Sequence, residues 1–265
     1  MATSNPAFSQ SPAFQSGSGA GTALTAEKLQ ELYDSPSASS IDTNRMTIED
    51  TIVKTAISFA FLLAGAAVGW IVPGLWAPAM VVGLVLAFVN IFKNRRKPSA
   101  ALTLAYAGVQ GVFIGGISVF YEAAWSGVVL QAVIGTLVVV GVTLALFASG
   151  KIRASARATK IFFIAIIGYL VFSFINLILI WTGVSSDPWG LSGSVKIFGI
   201  PLGLVIGVLV VLMCAYSLVL DFDAIQQGVK NRAPRAFAWA GAFGIMVTVI
   251  WLYLELLRIF ALSRN

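Results

Sequence analysis

Histidine is absent from this chain, and cysteine occurs once. The first absence excludes histidine-based triads, histidine-ligated zinc and an imidazole proton relay. The second excludes an intramolecular disulfide and a thiolate metal site; Cys214 reads as a small apolar packing residue. Charge is scarce too. Charged residues make up 11% of the 265 positions and apolar residues 58%. A soluble domain carries roughly 25% charged residues, so the exterior of this one is built to face lipid. There is no Gly-rich phosphate loop followed by Lys-Ser/Thr, and the last apolar stretch has no lysine to carry a retinal Schiff base. Ser58, Ser118 and Ser173 lie in apolar stretches with no histidine or deep lysine to activate them. The chain reads as neither an enzyme nor a cofactor or metal protein.

What the chain does have is length of apolar run. A bilayer span takes about 20 apolar residues at 1.5 Å per residue. Seven stretches qualify: Val53–Val72, Leu75–Phe92, Ala100–Phe120, Gly127–Ala148, Ile161–Trp181, Pro201–Leu220 and Phe237–Phe260. Only Pro73 and Gly74 separate the first two. The expected fold is all-α, a polytopic membrane protein with seven transmembrane helices. The net charge of +6 is not a nucleic-acid signal, because its distribution follows the spans. Lys93, Arg95, Arg96 and Lys97 follow the second stretch. Lys151, Arg153, Arg157 and Lys160 follow the fourth, and Lys230, Arg232 and Arg235 the sixth. Eleven of the 17 basic residues thus fall in alternate gaps. The positive-inside rule places those gaps and the N-terminus in the cytoplasm, and an odd number of spans sends the C-terminus outside. Trp70, Trp76, Trp125, Trp181 and Trp189 mark the other side, as an interfacial aromatic belt does.

Residues 1–44 are rich in Ser, Ala, Gly and Pro. They cannot bury enough apolar surface to offset ordering entropy, and read as a disordered cytoplasmic tail with a short helix at Thr25–Tyr33. They carry no basic and apolar run of the signal-peptide kind. The transmembrane domain covers 45–265. Thr47-Ile48-Glu49-Asp50 fits a capping-box variant that starts the first helix. Small residues recur four apart at Gly65/Gly69, Gly111/Gly115, Gly203/Gly207 and Ala240/Gly244, spacing that lets helix backbones approach closely in lipid.

Ionisable groups inside a span are expensive and mark function by default. Segments two to five hold none in their interiors. Asp221 and Asp223 stand at the end of segment six, about 200° apart around a helix, so both cannot face one cavity. They read either as a functional carboxylate and its neighbour or as two interfacial acids near Lys230 and Arg232. Glu255 and Arg258 are three apart and can pair on one face, as a functional pair or as an ion pair at the outer interface. Thr248 lies nearer the depth of the aspartates than Glu255 does. Asn90, Gln110, Gln131 and Asn176 are neutral polar groups at depth. Each reads as a hydrogen-bonding bridge between helices or as the wall of a wet path, with Gln110, mid-span in a glycine-rich segment, the first candidate for a path.

Several runs carry a resemblance. They are Arg45-Met46-Thr47, the stretch from Tyr106 to Ser118 (YAGVQGVFIGGIS), Leu220-Asp221-Phe222-Asp223, and the ending from Trp251 to Phe260 (WLYLELLRIF). In order and spacing they resemble the Bax inhibitor-1/YccA-like family, in its actinobacterial-type branch. The resemblance implies a seven-helix bundle with a central last helix, in a bacterial plasma membrane. It also implies a Ca²⁺ leak gated by pH through two aspartates on helices six and seven. The first of these corresponds to Asp223. The second corresponds to Thr248, which is no acid, so the shared proton of a carboxylate pair is lost. Gln110 also stands where relatives carry an acid. Two functions are open: a cation leak with Asp223 as gate or ligand, assisted by Thr248, Asp221 and Gln110; or a non-conducting regulator that binds membrane proteins such as a membrane protease.

Overall fold

The computed structural model describes residues 44–95, 97–185 and 187–264. The tail expected over residues 1–44, with its helix at Thr25–Tyr33, lies outside the described residues except for Asn44. Asn44 already belongs to the folded part, because its carbonyl accepts from the backbone N–H of Arg235 at 2.9 Å.

Seven long helices follow: α1 Ile48–Ile71, α2 Trp76–Asn94, α3 Ala100–Ala124, α4 Val128–Ala148, α5 Ala156–Trp181, α6 Leu202–Lys230 and α7 Phe237–Leu262. All seven are long and apolar enough to cross a membrane. In hydrocarbon no water can satisfy a backbone N–H or C=O, so a helix that pairs its own is the stable form of each run. Exposed Ile, Leu, Val and Phe cover the outside of the bundle, a surface that lipid tolerates and water does not. The protein is an all-α polytopic integral membrane protein.

The ends of the helices have local causes. Thr47 caps α1, its Oγ1 accepting from Asp50 N at 3.1 Å. The reciprocal half of the capping box does not form, because the Asp50 carboxylate is drawn to Lys54 and Arg235 instead. A single 3₁₀ turn, Pro73–Leu75, separates α1 from α2; proline at its first position has no N–H to lose. The largest departure from the hydropathy boundaries is in α6. It continues to Lys230 rather than ending at Leu220. Asp221 and Asp223 are therefore inside a helix, not at its exit. Before α6, Lys196–Ile197 and Ile200–Pro201 form a two-residue antiparallel hairpin.

α7 is the centre of the bundle, packed against α6, α1, α4 and α3. Met246, Leu252, Leu257 and Ala261 on it are fully enclosed. α5 is the opposite case: it packs chiefly on α6, and Phe162 is its one buried residue. The four-residue glycine rows lie at contacts within this one chain. A Cβ on Gly65 would collide with the backbone of Gly108, and one on Gly69 with Val112. From the other side, one on Gly115 would meet Ala66. α1 and α3 thus touch backbone to backbone, which in lipid supplies the dispersion contact that no hydrophobic effect provides. At the end opposite the basic loops, Trp125 and Trp189 stack with Tyr121, ring centroids 5.7 to 6.2 Å apart.

Candidate ion site on the α6–α7 seam

The polar groups of the interior gather along one line. α6 and α7 run antiparallel, and their contacts can be followed from end to end. Gly203 faces Leu262, Gly207 faces Ile259 and Glu255, Gly244 faces Asp221, and Gly241 faces Ile225. Between these, Ser217 Oγ lies 3.3 Å from Thr248 Oγ1, and Thr248 Oγ1 donates to Asp221 Oδ2 at 2.7 Å. The hydroxyls of Ser217 and Thr248 and the carboxylate of Asp221 form a continuous chain across the seam. Asp221 stands roughly 14 Å from the Lys230 end of α6, and Thr248 roughly 16 Å from the start of α7, at the helical rise per residue. The two are level with each other inside the bundle.

This geometry corrects the expected pairing. The carboxylate facing Thr248 belongs to Asp221, not Asp223. Asp223 sits about 200° further round α6, and among the described residues no hydrogen bond or ion pair holds its side chain. Gly244 explains why Asp221 fits: a Cβ there would stand 3.1 Å from Oδ1, so the small residue on α7 makes the space the acid occupies. Asp221 also lines a crevice of about 230 Å³ that runs toward the end of the bundle bearing the basic loops, among Met46, Gly228, Phe237, Gly241 and Gly244. Gln110 belongs elsewhere. Its side chain packs over Gly83 of α2, not toward Asp221.

The segment before α1 forms one wall of the crevice through Met46. Arg45 bridges Pro234 in antiparallel fashion, and Met46 N donates to Ala233 O at 2.8 Å. The Met46 side chain, 5% exposed, packs over Gly228 and against Ile225 and Ala238. A charge cluster fastens this strap. Arg235 donates to Asp50 Oδ1 through Nε and Nη2 at 3.1 and 2.9 Å. Lys54 Nζ donates to Asp50 Oδ2 at 2.6 Å and to Arg235 O at 2.9 Å, and lies over the Trp239 ring. Little of this cluster is visible in the sequence. The i,i+4 spacing of Asp50 and Lys54 was the visible signal; Arg235, from the far end of the chain, had none.

Glu255 and Arg258 do pair on α7, as their spacing allows, and the pair is enclosed within the bundle. Glu255 is 3% exposed. Its Oε1 accepts from Arg258 Nη2, and its Oε2 accepts from the Tyr169 hydroxyl at 3.1 Å. Gly207 of α6 leaves the room for this group. The pair is a buried link between α7 and α5. Of the neutral amides, Asn90 Nδ2 donates to the carbonyls of Leu86 and Leu102. Asn176 binds Trp189 O and Leu191 N. Gln131 is exposed on α4. Cys214 is buried and free.

Among the described residues no cluster of three acid, cysteine or histidine side chains is arranged to hold a metal ion. Asp221, Thr248 and Ser217 supply one carboxylate and two hydroxyl oxygens, a hard-oxygen set suited to transient contact with a hydrated cation. No curated protein matches the chain in sequence. The family model described as Bax inhibitor 1 like matches residues 5–265, the seven helices and the seam included. This chain belongs to the Bax inhibitor 1 like family of membrane proteins.

Proposed function

We propose that this protein is a cation leak pathway, passing Ca²⁺ along the α6–α7 seam, with Asp221 as the carboxylate that a permeating ion meets. The basic end of the bundle faces the cytoplasm of a bacterial plasma membrane, and the C-terminus lies outside. The observation that carries this reading is the Asp221 side chain. It is an acid inside the apolar bundle with one neutral hydroxyl partner, on the wall of a crevice directed at the end that bears the basic loops. A charge so placed is costly, and no ion pair within the described residues offsets it. The Met46 strap along the crevice supports a closed resting state. With Thr248 rather than a second carboxylate facing Asp221, the response of flux to pH follows a single proton, not the split titration of a coupled pair.

The test is Ca²⁺ flux into liposomes holding the purified protein. The native chain is expected to raise flux above empty liposomes, and Asp221→Asn to change it by roughly tenfold, since hydrogen bonds to a charged group are worth ~1.5–3 kcal/mol. Equal flux in empty and protein-containing liposomes overturns the leak. A C-terminal reporter active only in the cytoplasm overturns the orientation. A second reading, a non-conducting regulator that binds another membrane protein such as a membrane protease, is favoured by α5. That helix contacts little besides α6 and offers an unoccupied apolar face.

A further inference from the structure

α1 and α4 both pack on α7 yet scarcely touch each other. The gap between them is a groove made of two cavities, of about 570 and 550 Å³, which share Phe59, Thr136, Leu137 and Val249. The floor is α7, through Ile245 and Val249 in one half and Ile250 and Tyr253 in the other. Along α1 the first cavity runs from Ile48 to Phe59, roughly 16 Å at the helical rise. The second runs from Phe59 to Trp70, the same distance. Half of a hydrocarbon core is about 15 Å. Each cavity is therefore one leaflet deep.

The walls are apolar, and the hydroxyls among them are already spent. Thr51, Thr55 and Thr136 donate to carbonyls on their own helices. A groove of this kind cannot hold water, which needs polar partners. The two mouths differ. At the basic end, Phe147 and Gln226 line the groove, and Arg153 sits on both. Its guanidinium carbon is 5.1 Å from the Phe147 ring centroid, and Nη1 donates to Gln226 Oε1 at 3.0 Å. Among the described residues no acid pairs with Arg153. Asp50, on the nearby turn of α1, is taken up by Lys54 and Arg235, and Glu49 does not line the groove. The result is an exposed cation with no ion-pair partner among the described residues, oriented by two contacts at the basic mouth of an acyl-sized slot.

We propose that the α1–α4 groove binds an anionic glycerophospholipid of the leaflet at the basic end, with its phosphate on Arg153 and one acyl chain lying along Phe59, Leu137 and Val249 against α7. Charge complementarity selects the headgroup, and depth selects a single-leaflet chain. The chain would rest on Ile245 and Val249, which flank Thr248, so an occupant bears directly on the helix that carries the ion site. This inference does not depend on whether the protein conducts.

The full-length protein, reconstituted in phosphatidylcholine nanodiscs with increasing phosphatidylglycerol and then taken into mild detergent, provides the test. Retained lipid is identified by native mass spectrometry. The native chain is expected to keep phosphatidylglycerol in preference to phosphatidylcholine. Arg153→Gln, a change at an exposed side chain, should cut that retention roughly fivefold, the weight of one basic residue near an anionic headgroup. Leu137→Trp, which fills the slot, should abolish retention of both lipids, and Lys196→Gln at the opposite end should change nothing. Undiminished phosphatidylglycerol retention by Arg153→Gln, or equal retention of the two lipids by the native chain, overturns the proposal. If Leu137→Trp fails to fold, the Arg153 comparison decides alone.

Discussion

The α6–α7 seam carries two acids that meet opposite fates. Near one end, Glu255 is enclosed and neutralised by Arg258 on its own helix and by the Tyr169 hydroxyl from α5. Midway along, Asp221 has only the Thr248 hydroxyl, itself bonded to Ser217, and a crevice beside it. Both acids rest opposite a glycine, Gly207 and Gly244, which gives a carboxylate room between packed helices. What separates them is the partner. A paired and hydrogen-bonded charge holds helices together; a charge with neutral partners and an approach remains free to meet an ion. Burial alone does not mark the candidate acid here, since the more buried of the two is the one held in an ion pair.

The largest effect that would sharpen this contrast is on Glu255. Glu255→Gln strands the Arg258 guanidinium in the interior, and removal of one partner of a buried pair costs ~3–5 kcal/mol. A marked drop in thermal stability in detergent is expected, while Glu255→Leu combined with Arg258→Leu should recover most of it. Native-like stability of Glu255→Gln would erase the distinction between the two acids. Asp221→Asn should do the reverse, shifting Ca²⁺ flux by the tenfold stated above and leaving the melting temperature within a few degrees. Thr248→Val keeps shape and removes the donor. It should alter flux in the same direction as Asp221→Asn but by less, on the order of fivefold for ~1 kcal/mol of hydrogen bond. The smallest effect belongs to Asp223→Asn, expected within twofold of the native flux. If Asp223→Asn outweighs Asp221→Asn in the flux assay, the wrong carboxylate has been assigned to the seam.

Much of the fold was legible because the bilayer acts on each segment separately. Seven runs of sufficient length, with basic residues in alternate gaps, needed no knowledge of how the helices meet. The boundary of α6 was missed for a related reason: hydropathy reads Asp221 as an exit from lipid, whereas the backbone continues helical to Lys230. The choice between Asp221 and Asp223 was partly written in the chain. Gly203, Gly207, Val210, Cys214, Ser217 and Asp221 recur every three or four residues, as do Ala240, Gly244 and Thr248 on α7. Asp223 is out of phase with that row. Matching to family motifs favoured Asp223, but the row of small residues pointed at Asp221.

By itself the sequence determined the class of the molecule, its span count and the shortlist of acids, because length and polarity are properties of single segments. The tertiary structure alone decided which acid faces α7, that Glu255 is sealed by Tyr169, and that Gln110 sits over Gly83, away from the seam. Those outcomes depend on the rotation of each helix about its axis. One residue turns a side chain by about 100°, and the rotation that wins is set by close packing among neighbours, which no segment contains on its own.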